Sequence, residues 1–233
     1  MKKLSTYLRL IAAAAVANIL LAGVASAGPI SGLLLTGTTF NPPIKVNVTG
    51  IGGRIVAGEY TGSFNGDAFL SYCVDLAQSV RFGTLYAPSN YSLVSPESVL
   101  NPVKLGNLEK LFNTRYSDSQ VNAANSGAFQ LAIWEIISES GPSFSLSNGS
   151  FQASYLSDTS ALGSANLWLS ELSGYSAGNI ELRVYHSATN QDLISIVPRT
   201  SVPEPATMSL ALVAFSVMGL TKRRRRRAGK SSL

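Results

Sequence analysis

From residue 32 to residue 76 the chain reads as short runs of alternating apolar and polar positions, each closed by a turn signal. Gly32–Thr38, Ile44–Thr49, Arg54–Phe64 and Ala68–Leu76 carry the period-two pattern of strands. Asn41-Pro42-Pro43, Gly52-Gly53 and Asn65-Gly66-Asp67 separate them. The period then lengthens. Leu105, Leu108, Leu111 and Phe112 recur at helical spacing inside Lys104–Arg115. Ser119–Ser138 predicts a second, longer helix and Ala161–Leu172 a third, before Glu181–His186 and Leu193–Val197 return to strand character. Strands, then helices, then strands predict an α+β fold, a β-sandwich or barrel-like sheet with a helical subdomain. No internal repeat of fixed period interrupts this order.

Both ends carry a different pattern. Lys2, Lys3 and Arg9 precede an apolar run, Leu10–Val24, broken only by Asn18. Ala25-Ser26-Ala27 then supplies the small-x-small site of a signal peptide, with cleavage expected after Ala27. At the other end Pro203-Glu204-Pro205 is followed by the uncharged stretch Ala206–Leu220, then by Lys222 and five arginines, Arg223 to Arg227. A durable bilayer anchor needs about 20 apolar residues, so this short sorting helix predicts transient inner-membrane insertion. The arginines would hold the tail in the cytoplasm. Triplet, apolar span and basic cluster, in that order, resemble the PEP-CTERM sorting signal of Gram-negative bacteria. That resemblance implies processing by an exosortase, a transpeptidase-like cysteine protease of the membrane. The expected organisation is a signal peptide over 1–27, a surface domain over 28–200, the sorting signal over 201–227 and a cytoplasmic tail over 228–233.

Removing the ends reverses the charge. The chain has 18 basic and 13 acidic residues, but between Gly28 and Pro205 only eight basic residues face all thirteen acids, a net charge of −5. The exported body is mildly acidic, and no nucleic-acid partner follows from the basic whole. Its length suits one domain, or two small subdomains sharing a core.

Cys73 is the only cysteine, so no internal disulfide is available, and a lone thiol in an oxidising compartment needs an explanation. Strand alternation puts Leu70, Tyr72, Val74 and Leu76 on one face, and Cys73 on the other with Phe69, Ser71 and Asp75. The expected position of Cys73 is therefore away from the core. In the helix Ser119–Ser138, Gly127, Gln130, Ile133, Trp134 and Ile137 share an apolar stripe, with Glu135, Ser138 and Glu139 pointing elsewhere. An amide on such a stripe costs about 1–3 kcal/mol if unpartnered, so Gln130 demands a partner. A hydrogen-bonded buried amide meets that demand without further chemistry.

Tyr72-Cys73-Val74-Asp75 together with Phe129-Gln130-Leu131-Ala132-Ile133-Trp134 resembles the thioester domains of bacterial surface adhesins. The likeness runs over Gly66–Glu139. It implies that the Cys73 thiol condenses with the Gln130 side chain, losing ammonia and leaving an internal thioester. It further implies covalent attachment to a surface or matrix protein, or to another amine-bearing polymer, most naturally through a lysine ε-amine. The family's usual Thr-Gln-x-Ala motif is met at Gln130 and Ala132, with Phe129 in place of the threonine. Such a protein is not a turnover enzyme and needs no cofactor.

Other chemistry is thin. His186 is the only histidine and lies far in sequence from Cys73, so a surface or hydrogen-bonded role is expected rather than a Cys-His pair. No Cys, His or carboxylate cluster has metal-ligand spacing. Trp134 and Trp168 fall on predicted helices and are expected in the core. Asp75 stands near Cys73 in the chain with no assigned role. Two functions from different classes follow: a covalent surface-attachment protein, or a non-covalent exopolysaccharide- or matrix-binding or structural domain with a free thiol.

Overall fold

A seven-stranded antiparallel sheet curls around helices in a computed structural model that describes residues 31–139, 141 and 143–197. The expected signal peptide and its expected cleavage site after Ala27, the triplet Pro203-Glu204-Pro205, the expected sorting helix and the basic cluster lie outside the described residues. The strands are β1 (Leu33–Thr38), β2 (Ile44–Val48), β3 (Arg54–Ala57), β4 (Tyr60–Phe64), β5 (Asp67–Cys73), β6 (Leu85–Tyr86), β7 (Ser92–Val94), β8 (Ala153–Leu156), β9 (Glu181–His186) and β10 (Leu193–Val197). The helices are α1 (Pro102–Ser119), α2 (Ala123–Ser138) and α3 (Ser160–Glu171). The large sheet runs β6-β1-β4-β5-β10-β9-β7, and a smaller one runs β3-β2-β8. The architecture is α+β. Among the described residues no helix is long and apolar enough to cross a membrane.

The expected strand Arg54–Phe64 is two strands in two sheets. Gly58 takes φ +153°, a conformation L side chains avoid, and this kink sends β3 to the small sheet and β4 to the large one. The same kink turns Glu59 inward, where it is 1% exposed.

The expected helix Ser119–Ser138 begins later. Ser119 ends α1, and α2 starts at Ala123 because the Asn122 side chain accepts the Asn125 N–H as its N-cap. Asn101 caps α1 in the same manner through Lys104 N–H, with Pro102 at the first helical position.

Every residue of α2 from Ser126 to Ile136 is buried. The predicted stripe is therefore a correction: the helix has no solvent face over three turns, and Glu135 is inside with Gln130. A helix enclosed on all sides must pack closely, and Gly127 shows how closely. A Cβ there would stand 2.6 Å from Ile44 Cγ1 of β2. Ile44, Val46, Leu108, Phe112, Ile133 and Leu193 belong to one buried cluster with α2. The helices thus share the core of both sheets and do not form a separate subdomain.

Gly127→Ala overpacks this contact and should lower stability in urea by about 1–3 kcal/mol. Gly106→Ala in α1, where an added Cβ meets nothing within 4 Å, should raise stability by about 0.5–1 kcal/mol. Equal effects from the two would contradict the close approach of α2 to β2.

Candidate functional site

Cys73 is the last residue of β5 and pairs across the sheet with Leu193 of β10. Alternation along β5 fails at this end. Ser71, Tyr72 and Cys73 are all buried, while Leu70 is 40% exposed. Both faces of the strand end are covered, so Cys73 sits in the core, not on an outward face as its register predicts. The correction removes accessibility as the reason to notice the thiol. Its neighbours supply another.

Gln130 is fully buried in the middle of α2, and its amide lies against the peptide groups of Cys73. The Cys73 N–H donates to Gln130 Oε1 at 2.9 Å, and Gln130 Nε2 donates to the Cys73 carbonyl at 2.8 Å. The side-chain amide thus pairs with the strand end as another strand's peptide would. Residues 57 positions apart in sequence meet because β5 delivers one and the wholly buried α2 delivers the other. The sulfur has its own partners. Trp134 Nε1 donates to Cys73 Sγ at 3.3 Å, and the thiol donates to the Asp75 carbonyl at 2.8 Å. Burial pushes the Cys73 thiol up to about 12, with the Trp134 and Asp75 hydrogen bonds pulling partly back. Asp75 therefore acts on the sulfur through its backbone, while its carboxylate caps Ala77 N–H at 2.7 Å.

The aromatic residue that replaces the threonine of the adhesin motif has a packing role. The Phe129 ring lies 4.8 Å from Tyr72 and 4.9 Å from Phe112, centroid to centroid. Tyr72 and Phe129 each precede one of the two reactive candidates, so their contact fixes β5 and α2 one residue away from the Cys73–Gln130 pairing.

A buried polar network continues outward from Tyr72, and nothing in the periodicity of residues 54–64 signals it. Tyr72 Oη donates to Ser119 Oγ at 3.0 Å, and Ser126 Oγ accepts Glu59 N–H at 2.9 Å. The Glu59 carboxylate accepts from Thr39 Oγ1, Tyr116 Oη and Gln120 Nε2. Burial raises its carboxyl above the ordinary range, and these three hydrogen bonds offset only part of the rise. The inward kink at Gly58 is the one sequence sign of it.

The remaining candidates resolve simply. His186 Nδ1 pairs with Asp192 Oδ2 at 2.8 Å, within the surface or hydrogen-bonded role expected of it. Trp168 is buried beside the Arg115 guanidinium, 5.9 Å from its ring centroid, and Trp134 is 1% exposed. Among the described residues no group of three His, Cys, Asp or Glu side chains could hold a metal ion. A cleft of about 580 Å³ opens beside this site, lined in part by Tyr60, Phe82 and Gln191, and it reaches Trp134.

Among known families, residues 201–227 match the model of the PEP-CTERM protein-sorting motif. The motif supports an exported protein, transiently membrane-anchored and processed by an exosortase, as in PEP-CTERM proteins of the Gram-negative surface or exterior. No curated protein and no solved structure matches the chain.

Because its folded-state carboxyl is raised, Glu59 contributes stability that is complete below its unfolded value near 4.5 and is lost as pH rises through the folded value. Relative to Glu59→Gln, the natural protein should therefore lose urea resistance as pH rises above about 4.5. A difference that stays constant, or grows in the opposite direction, would contradict the buried carboxyl.

Proposed function

We propose that Cys73 and Gln130 form an internal thioester through which the exported protein attaches covalently to a nucleophile on a partner surface. The observation that carries this reading is the reciprocal pairing of the Gln130 amide with the peptide of Cys73. It holds the amide against the residue that bears the thiol, so an intermolecular encounter becomes a local one.

The chemistry balances without a cofactor. Cys73 Sγ attacks Gln130 Cδ, the Cδ–Nε2 bond breaks, and the nitrogen leaves as ammonia with the thiol proton. During the attack, negative charge develops on Gln130 Oε1, the atom that already accepts the Cys73 N–H at 2.9 Å. That N–H serves as an oxyanion donor in a water-excluded site. The departing nitrogen starts bonded to the Cys73 carbonyl. In the second stage a partner's nucleophile, an amine in the simplest case, adds to Cδ, the C–S bond breaks and the thiol is restored. Trp134 Nε1 is placed to donate to the sulfur as it leaves. Each chain would react once, as an attachment device on a surface or matrix protein or another amine-bearing polymer.

The same two hydrogen bonds favour a second reading. Gln130 then serves as a permanent splint closing the end of β5, Cys73 remains a free thiol, and the domain binds its matrix without a covalent bond.

Intact mass separates the two. The thioester reading expects native protein one ammonia lighter than its processed sequence, with methylamine adding one methylamine to that form. Cys73→Ala should abolish both the deficit and the adduct. A native mass equal to the sequence mass, with one thiol that alkylates on unfolding, would overturn the covalent reading.

A further inference from the structure

Trp134 lines the cleft beside the site, and its indole nitrogen donates to the Cys73 sulfur. The cleft is thus one side chain away from the group that leaves when the proposed thioester is opened. Its chemistry is unusual for a lysine-accepting surface. None of the described residues lining it is charged. Ile51, Ile55 and Val56 give it apolar lining, together with Phe82, which is 42% exposed and stands edge-on to Tyr60 at 5.2 Å. The polar part of its wall carries Gln78, Ser79, Thr189 and Gln191.

One group of the polar wall favours a ligand that donates hydrogen bonds. Gln78 Oε1 has no hydrogen-bond partner among the described residues and almost no surface open to the cleft, so a ligand donates to it only once the side chain turns. An acceptor left so costs about 1–3 kcal/mol unless something donates to it. Gln191 Nε2, by contrast, is occupied, donating to the Asp75 carbonyl at 2.9 Å. That carbonyl also receives the Cys73 thiol, so the polar wall and the sulfur share one backbone acceptor.

An ammonium group entering this cleft would shed water and meet no counter-charge, which is costly. A sugar meets an exposed aromatic ring with amide and hydroxyl partners. We infer that the cleft is the acceptor entry and that it takes an uncharged, hydroxyl-bearing carbohydrate chain in preference to a lysine. This rests on the thioester reading of Cys73 and Gln130. In the step itself a sugar hydroxyl oxygen adds to Gln130 Cδ, the Cδ–Sγ bond breaks, and the hydroxyl proton ends on Cys73 Sγ. The product is an ester between Gln130 and the carbohydrate, with the thiol restored. Trp134 lines the cleft and Gln130 does not, so the hydroxyl arrives only if the Trp134 ring moves aside.

The test begins with purified exported protein whose ammonia deficit has been measured. A neutral linear hexose oligomer and Nα-acetyl-lysine amide are offered at equal concentration, and adducts are read by mass. The expected result is an oligomer adduct on Gln130, about tenfold more abundant than the lysine adduct and cleaved by alkaline hydroxylamine, as an ester is and an amide is not. Thr189→Asp, an exposed position at the cleft, should leave the deficit intact and raise the lysine adduct about fivefold. A protein with the deficit that takes lysine as readily as the oligomer overturns the acceptor assignment and leaves the thioester standing. Absence of the deficit overturns the thioester and the ester together. The cleft itself is tested separately in Cys73→Ala, which should bind the oligomer reversibly by calorimetry and lose about tenfold in affinity with Phe82→Ala added. No binding there overturns the cleft as a carbohydrate site.

Discussion

Two hydrogen bonds tie the centre of a helix to the end of a strand: Cys73 N–H to Gln130 Oε1 and Gln130 Nε2 to the Cys73 carbonyl. Gln130 and Cys73 are both fully buried, and a buried amide or peptide group left unpartnered costs about 1–3 kcal/mol. The pairing removes that penalty for four groups at once. It also dictates the surroundings. For Gln130 to reach the strand end, α2 must run through the core, and so Ser126 to Ile136 are buried without interruption. For α2 to lie that deep, β2 must approach it where Gly127 offers no side chain.

The strand side of the pairing is held by a second layer. Tyr72, next to Cys73, packs at a tilt against Phe129, next to Gln130, and its hydroxyl joins the polar network that ends at Glu59. Glu59 stands at the kink where the chain passes from one sheet to the other, and it bonds Tyr116 and Gln120 of the α1 end. The sheet crossover, the helix hairpin and the Cys73–Gln130 contact are therefore one connected arrangement. Preorganisation of this kind is what an intramolecular condensation requires, since the rate depends on holding the reacting atoms together.

Much of the fold was legible in the sequence. β9 and β10 fall where the alternation of Glu181–His186 and Leu193–Val197 predicts, and the helical spacing of Leu105, Leu108 and Leu111 finds α1. The misses share a cause, which is burial on more than one face. Alternation along β5 assigns Cys73 outward only if one side meets water, and at Tyr72 and Cys73 neither does. Amphipathic spacing finds a stripe on α2 that the enclosed helix does not have. β6, β7 and β8 escaped notice because two to four residues carry too little pattern. Juxtaposition of Cys73 and Gln130 was readable from motif likeness alone, because periodicity placed them on unrelated faces. The hydrogen bond from Trp134 to the sulfur left no mark: its spacing reads as core, and it is core as well as a sulfur donor.

The central claim concerns one bond, and a high-resolution crystal structure of the natural exported protein tests it most directly. The account predicts continuous electron density between Cys73 Sγ and Gln130 Cδ at single-bond length, with the Nε2 atom gone and the oxygen still facing the Cys73 N–H. Separate density for a thiol and an intact amide, in a protein of unreduced mass, would contradict it.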